Sequence, residues 1–264
     1  MPYTALLSAL SSLPLDGYTS DQREALGTLY EYIEEPSPYA LFLLTGYAGT
    51  GKTFLLRTIA DLAQQAGLRV ELMASTGRAA KVLSASTGRP ASTIHRTIYR
   101  ASTQMQEEGG SFQLGRVSGA TPTLFIVDEA SMISGDTGEM TPFGSGNLLD
   151  DLLSYVWSAD EAKLIFVGDT AQLPPVGTPL SDALNAEVLT SRYGLHVYGM
   201  ELREVVRQKR GGILHNATQL RELLDEYADE DPEEILPIHL ETEGWRGIFP
   251  VEGGTFIETL DEAY

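Results

Sequence analysis

The 264-residue sequence contains no cysteine, so neither a disulfide framework nor a thiolate metal site can hold it together. Bases are scarce. Eighteen Lys and Arg face 37 Asp and Glu, a net charge of −19. That excess argues against indiscriminate polyanion binding, which needs a basic footprint. The deficit is uneven: the fourteen acids and single base, Arg246, between Glu222 and Tyr264 carry −13 of it, leaving −6 on the first 221 residues. A basic track on those residues stays open, and the acidic tail is expected to be solvated surface. No apolar run approaches the ~20 residues needed to cross a bilayer, so no membrane span is predicted. The opening MPYTALLSALSSLPL lacks the basic start and cleavage site of a signal peptide. It is expected to form a short amphipathic helix with Leu6, Leu7, Leu10 and Leu13 on one side, and the expected compartment is the cytoplasm. Aromatics make up 8%, and Trp157 and Trp245 stand outside any motif, where packing is their expected role.

What is present is an alternation of short apolar runs with helical spacing. Hydrophobic residues make up 42%, enough for a full core. Residues 40–45 (ALFLLT), 69–74, 123–127 (TLFIV), 163–167 (KLIFV) and 197–202 read as strands, the continuous apolar runs among them as strands buried on both faces. Residues 54–66, 79–84 and 213–227 read as helices. This alternation predicts an α/β fold with a mainly parallel sheet and helices on both faces. Three segments interrupt it: 101–122, with Glu107-Glu108-Gly109-Gly110 as a hairpin turn; 135–146, of loop composition; and the acidic stretch from 229 onward.

Two motifs carry chemistry. Residues 46–53 read GYAGTGKT, a complete phosphate-binding loop between an apolar strand and a helix. Gly46, Ala48, Gly49, Thr50 and Gly51 supply backbone N–H groups that curl around phosphates, and the helix N-terminus adds partial positive charge. Lys52 reaches the terminal phosphates of ATP, and the Thr53 hydroxyl is a ligand for Mg²⁺. Asp128 and Glu129 follow the strand TLFIV, at the strand end where ligands of open α/β sheets bind. Asp128 is expected to hold Mg²⁺ and Glu129 to orient and deprotonate the attacking water.

Longer patterns carry a resemblance. VDEASM at 127–132 and GDTAQLPPV at 168–176 resemble motifs II and III of superfamily 1 helicases of the RecD-like and Dda-like group. STGRAAK at 75–81, TIH at 93–95, LREVVRQ at 202–208 and the Thr19–Gln22 pair resemble further motifs of the same group, in the same order, over residues 18–224. The resemblance implies a RecA-like phosphate-loop ATPase fold. It implies that Gln172 senses the γ-phosphate, that Arg207 acts as an arginine finger in cis, and that Gln22 contacts adenine. Thr19-x-x-Gln22 is equally a helix capping box, and both roles are compatible. Thr76, Lys81 and His95 are implied contacts to the phosphates of single-stranded DNA, against plainer roles as helix cap, solvated base and structural histidine. Arg78 and Arg96 read as ordinary surface bases.

The expected organisation is a motor domain at 1–228, with a hairpin insertion at 101–122 and an acidic linker at 229–264 leading toward a second motor domain absent from this chain. The expected activity is ATP hydrolysis coupled to 5′-to-3′ movement on single-stranded DNA by a monomer, weak in this chain alone. A phosphate-loop kinase or phosphotransferase and a non-catalytic nucleotide-binding scaffold are the alternatives. The GDTAQLPPV loop argues against the first, and the intact set of site residues against the second.

Overall fold

The computed structural model describes residues 2–101, 112–133, 135, 143–172, 180–206, 216 and 219–220. The chain divides into two units, Met1–Val206 and Arg207–Tyr264, and the architecture below is that of the first. The Glu107–Gly110 turn, the acidic stretch from 229 and all of the expected helix at 213–227 except residues 216 and 219–220, which are helical, lie outside the described residues.

Two helices, α1 (Thr4–Ser11) and α2 (Ser20–Glu34), precede β1 (Ala40–Gly46). Then come α3 (Lys52–Gln65), β2 (Arg69–Ala74), α4 (Gly77–Thr87), β3 (Ala91–Thr93), α5 (Ile94–Ile98), β4 (Tyr99–Ala101) and β5 (Phe112–Leu114). The chain continues through β6 (Thr123–Asp128), α6 (Leu148–Val156), β7 (Ala162–Gly168), α7 (Ala186–Ser191) and β8 (His196–Leu202). Six strands form one sheet in the order β3-β2-β6-β7-β1-β8, and every pairing in it is parallel. Strands β4 and β5 pair antiparallel, Tyr99 opposite Leu114, as a separate two-stranded ribbon.

Side-chain alternation divides the core between the two faces of the sheet. Phe42, Leu44, Ile126, Ile165 and Val167 pack with α1, α2, α3 and α4 through residues such as Leu6, Leu29, Leu56 and Leu83. Leu41, Leu43, Phe125, Val127 and Phe166 point the other way and pack with α5, α6 and α7 through Ile98, Leu152 and Leu189. This is the α/β, RecA-like phosphate-loop fold. Within α1, Leu6 and Leu10 are buried and Leu7 is half-buried, whereas Leu13 lies past the helix end. No helix among the described residues is long and apolar enough to cross a membrane.

Because all six strands run in parallel, β1, β2, β6, β7 and β8 deliver their following loops to one rim. The phosphate loop, Ser75-Thr76, Asp128-Glu129, Gly168–Gln172 and the segment after Leu202 therefore share that rim, the position at which open α/β sheets bind ligands.

Candidate active site

Strand β1 ends at Gly46 and α3 begins at Lys52. The glycines between them are used for backbone shape. Gly49 (φ 90°) and Gly51 (φ 93°) occupy the left-handed region that side chains resist. A Cβ on Gly46 would lie 2.6 Å from the Leu202 carbonyl oxygen, so glycine there lets the end of β8 close on the loop. Within the loop, Thr50 Oγ1 donates to the Tyr47 carbonyl at 2.8 Å. Lys52 Nζ donates to the same carbonyl at 2.9 Å and to the carbonyl of Gly46. The lysine is thus drawn onto its own loop, its charge shared with backbone oxygens. Thr53 is exposed in the first turn of α3.

Asp128 closes β6. Burial pushes its carboxyl up to about 6, the Glu129 charge adds to that rise, and the bond from Glu129 N–H and the Lys52 charge oppose it. Its Oδ1 accepts from Glu129 N at 3.0 Å. Glu129 has φ 55° and ψ 42°, the one left-handed non-glycine residue among those described. Such a conformation costs about 1–3 kcal/mol and persists where surroundings enforce it, commonly at reactive sites. The enforcement is visible: Ser181 Oγ donates to Ala130 O at 2.9 Å and Ile133 O at 2.7 Å, pinning the 3₁₀ turn at Ala130–Met132. One residue after this turn begins, Ser131 Oγ donates to Gln172 Oε1 at 3.3 Å. Gln172 is itself placed by a tight turn in which Asp169 accepts from Ala171 N at 3.0 Å. The loops following β6 and β7 are therefore joined through Gln172. Arg207 and residues 173–179 lie outside the described residues.

The donor set fits a magnesium nucleotide. Positive-φ glycines, a helix N-terminus, an ammonium and a hydroxyl suit phosphate, and a carboxylate whose charged form is disfavoured is eased by a cation. Among the described residues no cluster of three or more His, Asp or Glu could hold a metal unaided. Thr53 and Asp128 are the ligands the chain can offer, and Mg²⁺ characteristically completes its shell with phosphate oxygens and water.

Gln22 is 2% exposed. Its Oε1 accepts from Thr19 N at 3.2 Å while Thr19 Oγ1 accepts from Gln22 N at 3.2 Å, a reciprocal capping box at the start of α2. Its Nε2 donates to the Thr50 carbonyl at 3.1 Å, and a Cβ on Gly51 would collide with that nitrogen. Both ends of the amide are engaged inside the protein, one of them on the phosphate loop. The capping signature in the sequence indicated the first contact; nothing local indicated the second.

The three expected strand contacts divide. Thr76 caps α4, its hydroxyl accepting from Ala79 N at 3.1 Å. Lys81 is exposed and lines a groove between α4, β3 and α5 together with Gly77, Ser84, Ser92, Thr93 and Arg96. Arg96, read from sequence as an ordinary base, thus lines the same groove as Lys81. Its position became apparent only when β3 paired with β2. His95 packs its ring against Tyr99 (5.7 Å between centroids) and edge-on to Phe143 (5.2 Å), and burial lowers its pKa. A neutral imidazole can hydrogen-bond a phosphate but adds little charge.

Comparison with known proteins bears on this arrangement. A family model described as an AAA domain matches residues 17–236. The ATP-dependent RecD2 DNA helicase of Deinococcus radiodurans is 34% identical over 214 residues, covering 78% of this chain and 27% of that protein. The ATP-dependent DNA helicase dda of Enterobacteria phage T4 is 30% identical over 213 residues, covering 79% of this chain and 44% of that protein. The chain thus spans less than half the length of these relatives. Among solved structures, a Pif1 helicase from Candida albicans aligns with 22% identity and a TM-score of 0.48, over 78% of this chain and 43% of that one. With a family model covering most of its length, the chain belongs to the AAA-domain family, and within it the chain is similar to the RecD2 and dda helicases.

Proposed function

We propose that this chain is the ATP-binding and hydrolysing motor domain of a DNA helicase, coupling hydrolysis to 5′-to-3′ movement on single-stranded DNA. The observation that carries the reading is the Ser131–Gln172 hydrogen bond, which joins the segment bearing Asp128 and Glu129 to the loop after β7. A kinase needs its phosphate loop and carboxylates but no such link between two rim loops. The names of the two curated relatives, both ATP-dependent DNA helicases, support the same activity.

In this reading the loop amides from Gly46 to Gly51, with Ala48, Gly49 and Thr50 between, bind the phosphates of ATP. Lys52 leaves the Gly46 and Tyr47 carbonyls to reach the terminal ones. Thr53 and Asp128 hold Mg²⁺, which supplies charge neutralisation to the phosphate oxygens. Glu129 orients the attacking water and takes its proton. Gln172 reports the state of the γ-phosphate to Ser131. Arg207 stabilises developing charge, and Gln22, besides its loop bond, contributes to the adenine end. Thr76, Lys81 and His95, now joined by Arg96, face the phosphates of the strand without reading bases. The motor occupies residues 1–228. The molecule acts as a cytoplasmic monomer.

Directed movement needs two domains that alternate their grip as they close on ATP and reopen. A single motor domain acting alone is therefore expected to bind ATP, hydrolyse it slowly and leave a duplex closed. The test measures ATP turnover with and without single-stranded DNA, and unwinding of a forked duplex, for this chain and for a chain carrying a second motor domain after Tyr264. Stimulation and unwinding by the longer chain are expected. Absence of any stimulation there, or robust unwinding by the present chain, overturns the reading.

A further inference from the structure

The phosphate loop is held from outside by the first turn of α2, along two routes. One is the Gln22–Thr50 bond described above. The other starts at Asp21, the neighbouring residue, a position inside the Thr19–Gln22 capping box to which the sequence gives no role. Asp21 Oδ2 accepts from Arg203 N at 2.7 Å and from Glu204 N at 2.8 Å, two successive amides just past the end of β8. Beside it, Ser20 Oγ donates to Glu204 at 3.2 Å. Two residues further on, Val206 N donates to the Gly49 carbonyl at 3.0 Å. The Val206 side chain is 49% exposed, so little side-chain burial holds it there. The segment 203–206 is therefore a strap, fastened at one end to a carboxylate and at the other to the phosphate loop.

We infer that Asp21 is a positioning residue for nucleotide binding, acting through the 203–206 strap to set the orientation of the Gly49–Thr50 peptide. The argument rests on the planarity of the peptide bond. In a trans peptide the N–H points away from the C=O. A carbonyl tied on the outer side of a loop fixes the direction of the following N–H. Gly49 O is tied to Val206, which sets the Thr50 N–H, here donating to the Tyr47 carbonyl at 3.3 Å; Thr50 O is tied to Gln22, which sets the Gly51 N–H. Two consecutive loop peptides are thus oriented before any phosphate arrives, and that reduces the ordering cost of binding. The Gly46–Leu202 approach of 2.6 Å to a built Cβ places the strand end beneath the same loop and leaves the strap short. A carboxylate suits this task because two N–H groups can share one charged oxygen, and charge-assisted bonds are the stronger kind.

The inference rests on the loop being the nucleotide site, so the experiment separates the two claims. Affinity for ADP is measured in the full chain by fluorescent-analogue displacement, and amide hydrogen exchange is followed for residues 203–206 and for the core of β1. For Asp21→Ala, ADP affinity is expected to fall about tenfold, the effect of losing one to two net hydrogen bonds. Exchange at Arg203, Glu204 and Val206 accelerates while Leu43 stays protected. Asp21→Asn, which can place a carbonyl oxygen where Oδ2 stands, restores most of both. Val206→Pro, which deletes the donor to Gly49, weakens ADP binding to a similar extent, and combining it with Asp21→Ala adds little further. If Lys52→Ala binds ADP as wild type does, the nucleotide-site reading itself fails. If Lys52→Ala weakens binding but Asp21→Ala does not, or the Asp21 and Val206 effects multiply, the positioning role is overturned. Should Asp21→Ala not fold, Asp21→Glu, which keeps the charge but displaces the carboxylate, takes its place with the same expected outcomes.

Discussion

Lys52 Nζ lies 2.9 Å from the Tyr47 carbonyl oxygen and also bonds the Gly46 carbonyl, inside the loop whose phosphates it would serve. Nucleotide binding must therefore exchange two backbone acceptors for phosphate oxygens, a trade favoured by the opposite charge.

Lys52→Ala is expected to raise the Kd for Mg·ATP about 10- to 100-fold, the range for a lost hydrogen bond to a charged group. Thermal stability should fall by less than the binding loss, because one of the two released carbonyls, that of Tyr47, belongs to a partly exposed residue and only Gly46 is buried. Titration with a fluorescent ATP analogue and a melting curve check both; unchanged affinity would remove the phosphate-loop assignment.

Glu129 separates chemistry from stability. Glu129→Gln should leave Mg·ATP binding intact and lower turnover about 10²- to 10⁴-fold, the usual contribution of a general base. Glu129→Gly should lower turnover as much while raising stability by about 1 kcal/mol, because glycine adopts φ 55° without strain. A glycine variant that melts below wild type would mean that the left-handed backbone costs nothing here.

Asp128 sets a pH window. Its folded value of about 6 stands above its ordinary 3.8, so the folded state holds that proton more tightly than the unfolded chain does. The stability it contributes is complete below pH 3.8 and is lost as pH rises through about 6. Mg·ATP affinity should run the opposite way, weakening as pH falls through about 6 because a protonated carboxyl cannot ligate Mg²⁺. Denaturant titrations and binding isotherms from pH 4 to 8 should show both trends, and Asp128→Asn should flatten both. A wild-type binding curve level across pH 6 would assign the cation to other groups.

Lys81 and Arg96 share a groove. Replacing either with Ala should weaken single-stranded DNA binding about equally for all sequences and lower the salt slope by about one unit, with ATP affinity unchanged. Binding isotherms at several salt concentrations decide it, and an unaltered slope would return that side chain to the solvated surface.

The sheet was legible because strands buried on both faces leave continuous apolar runs. Ala40–Gly46 and Thr123–Asp128 begin at the residues their sequences mark. The phosphate loop and Asp128-Glu129 were legible because their chemistry is contiguous. Helices α6 and α7 were not assigned: α7 has only six residues, and α6, though amphipathic, has only nine and follows a segment of loop composition. Asp21 was invisible for another reason: its partners, Arg203 and Glu204, are some 180 residues away, and no local spacing encodes a contact made by closing β8 against β1. Glu129's backbone was equally hidden, because Ser181 enforces it from a distant loop.

The parallel sheet also decides where an experimenter can touch the molecule. Its chemistry leaves from one rim, so the opposite rim, with Tyr39 58% exposed at the entry to β1, is remote from nucleotide and strand alike. In a chain with no native thiol, a lone Tyr39→Cys would accept a dye or surface tether at a single defined point. Single-molecule recordings could then follow the working rim with the anchor out of its way.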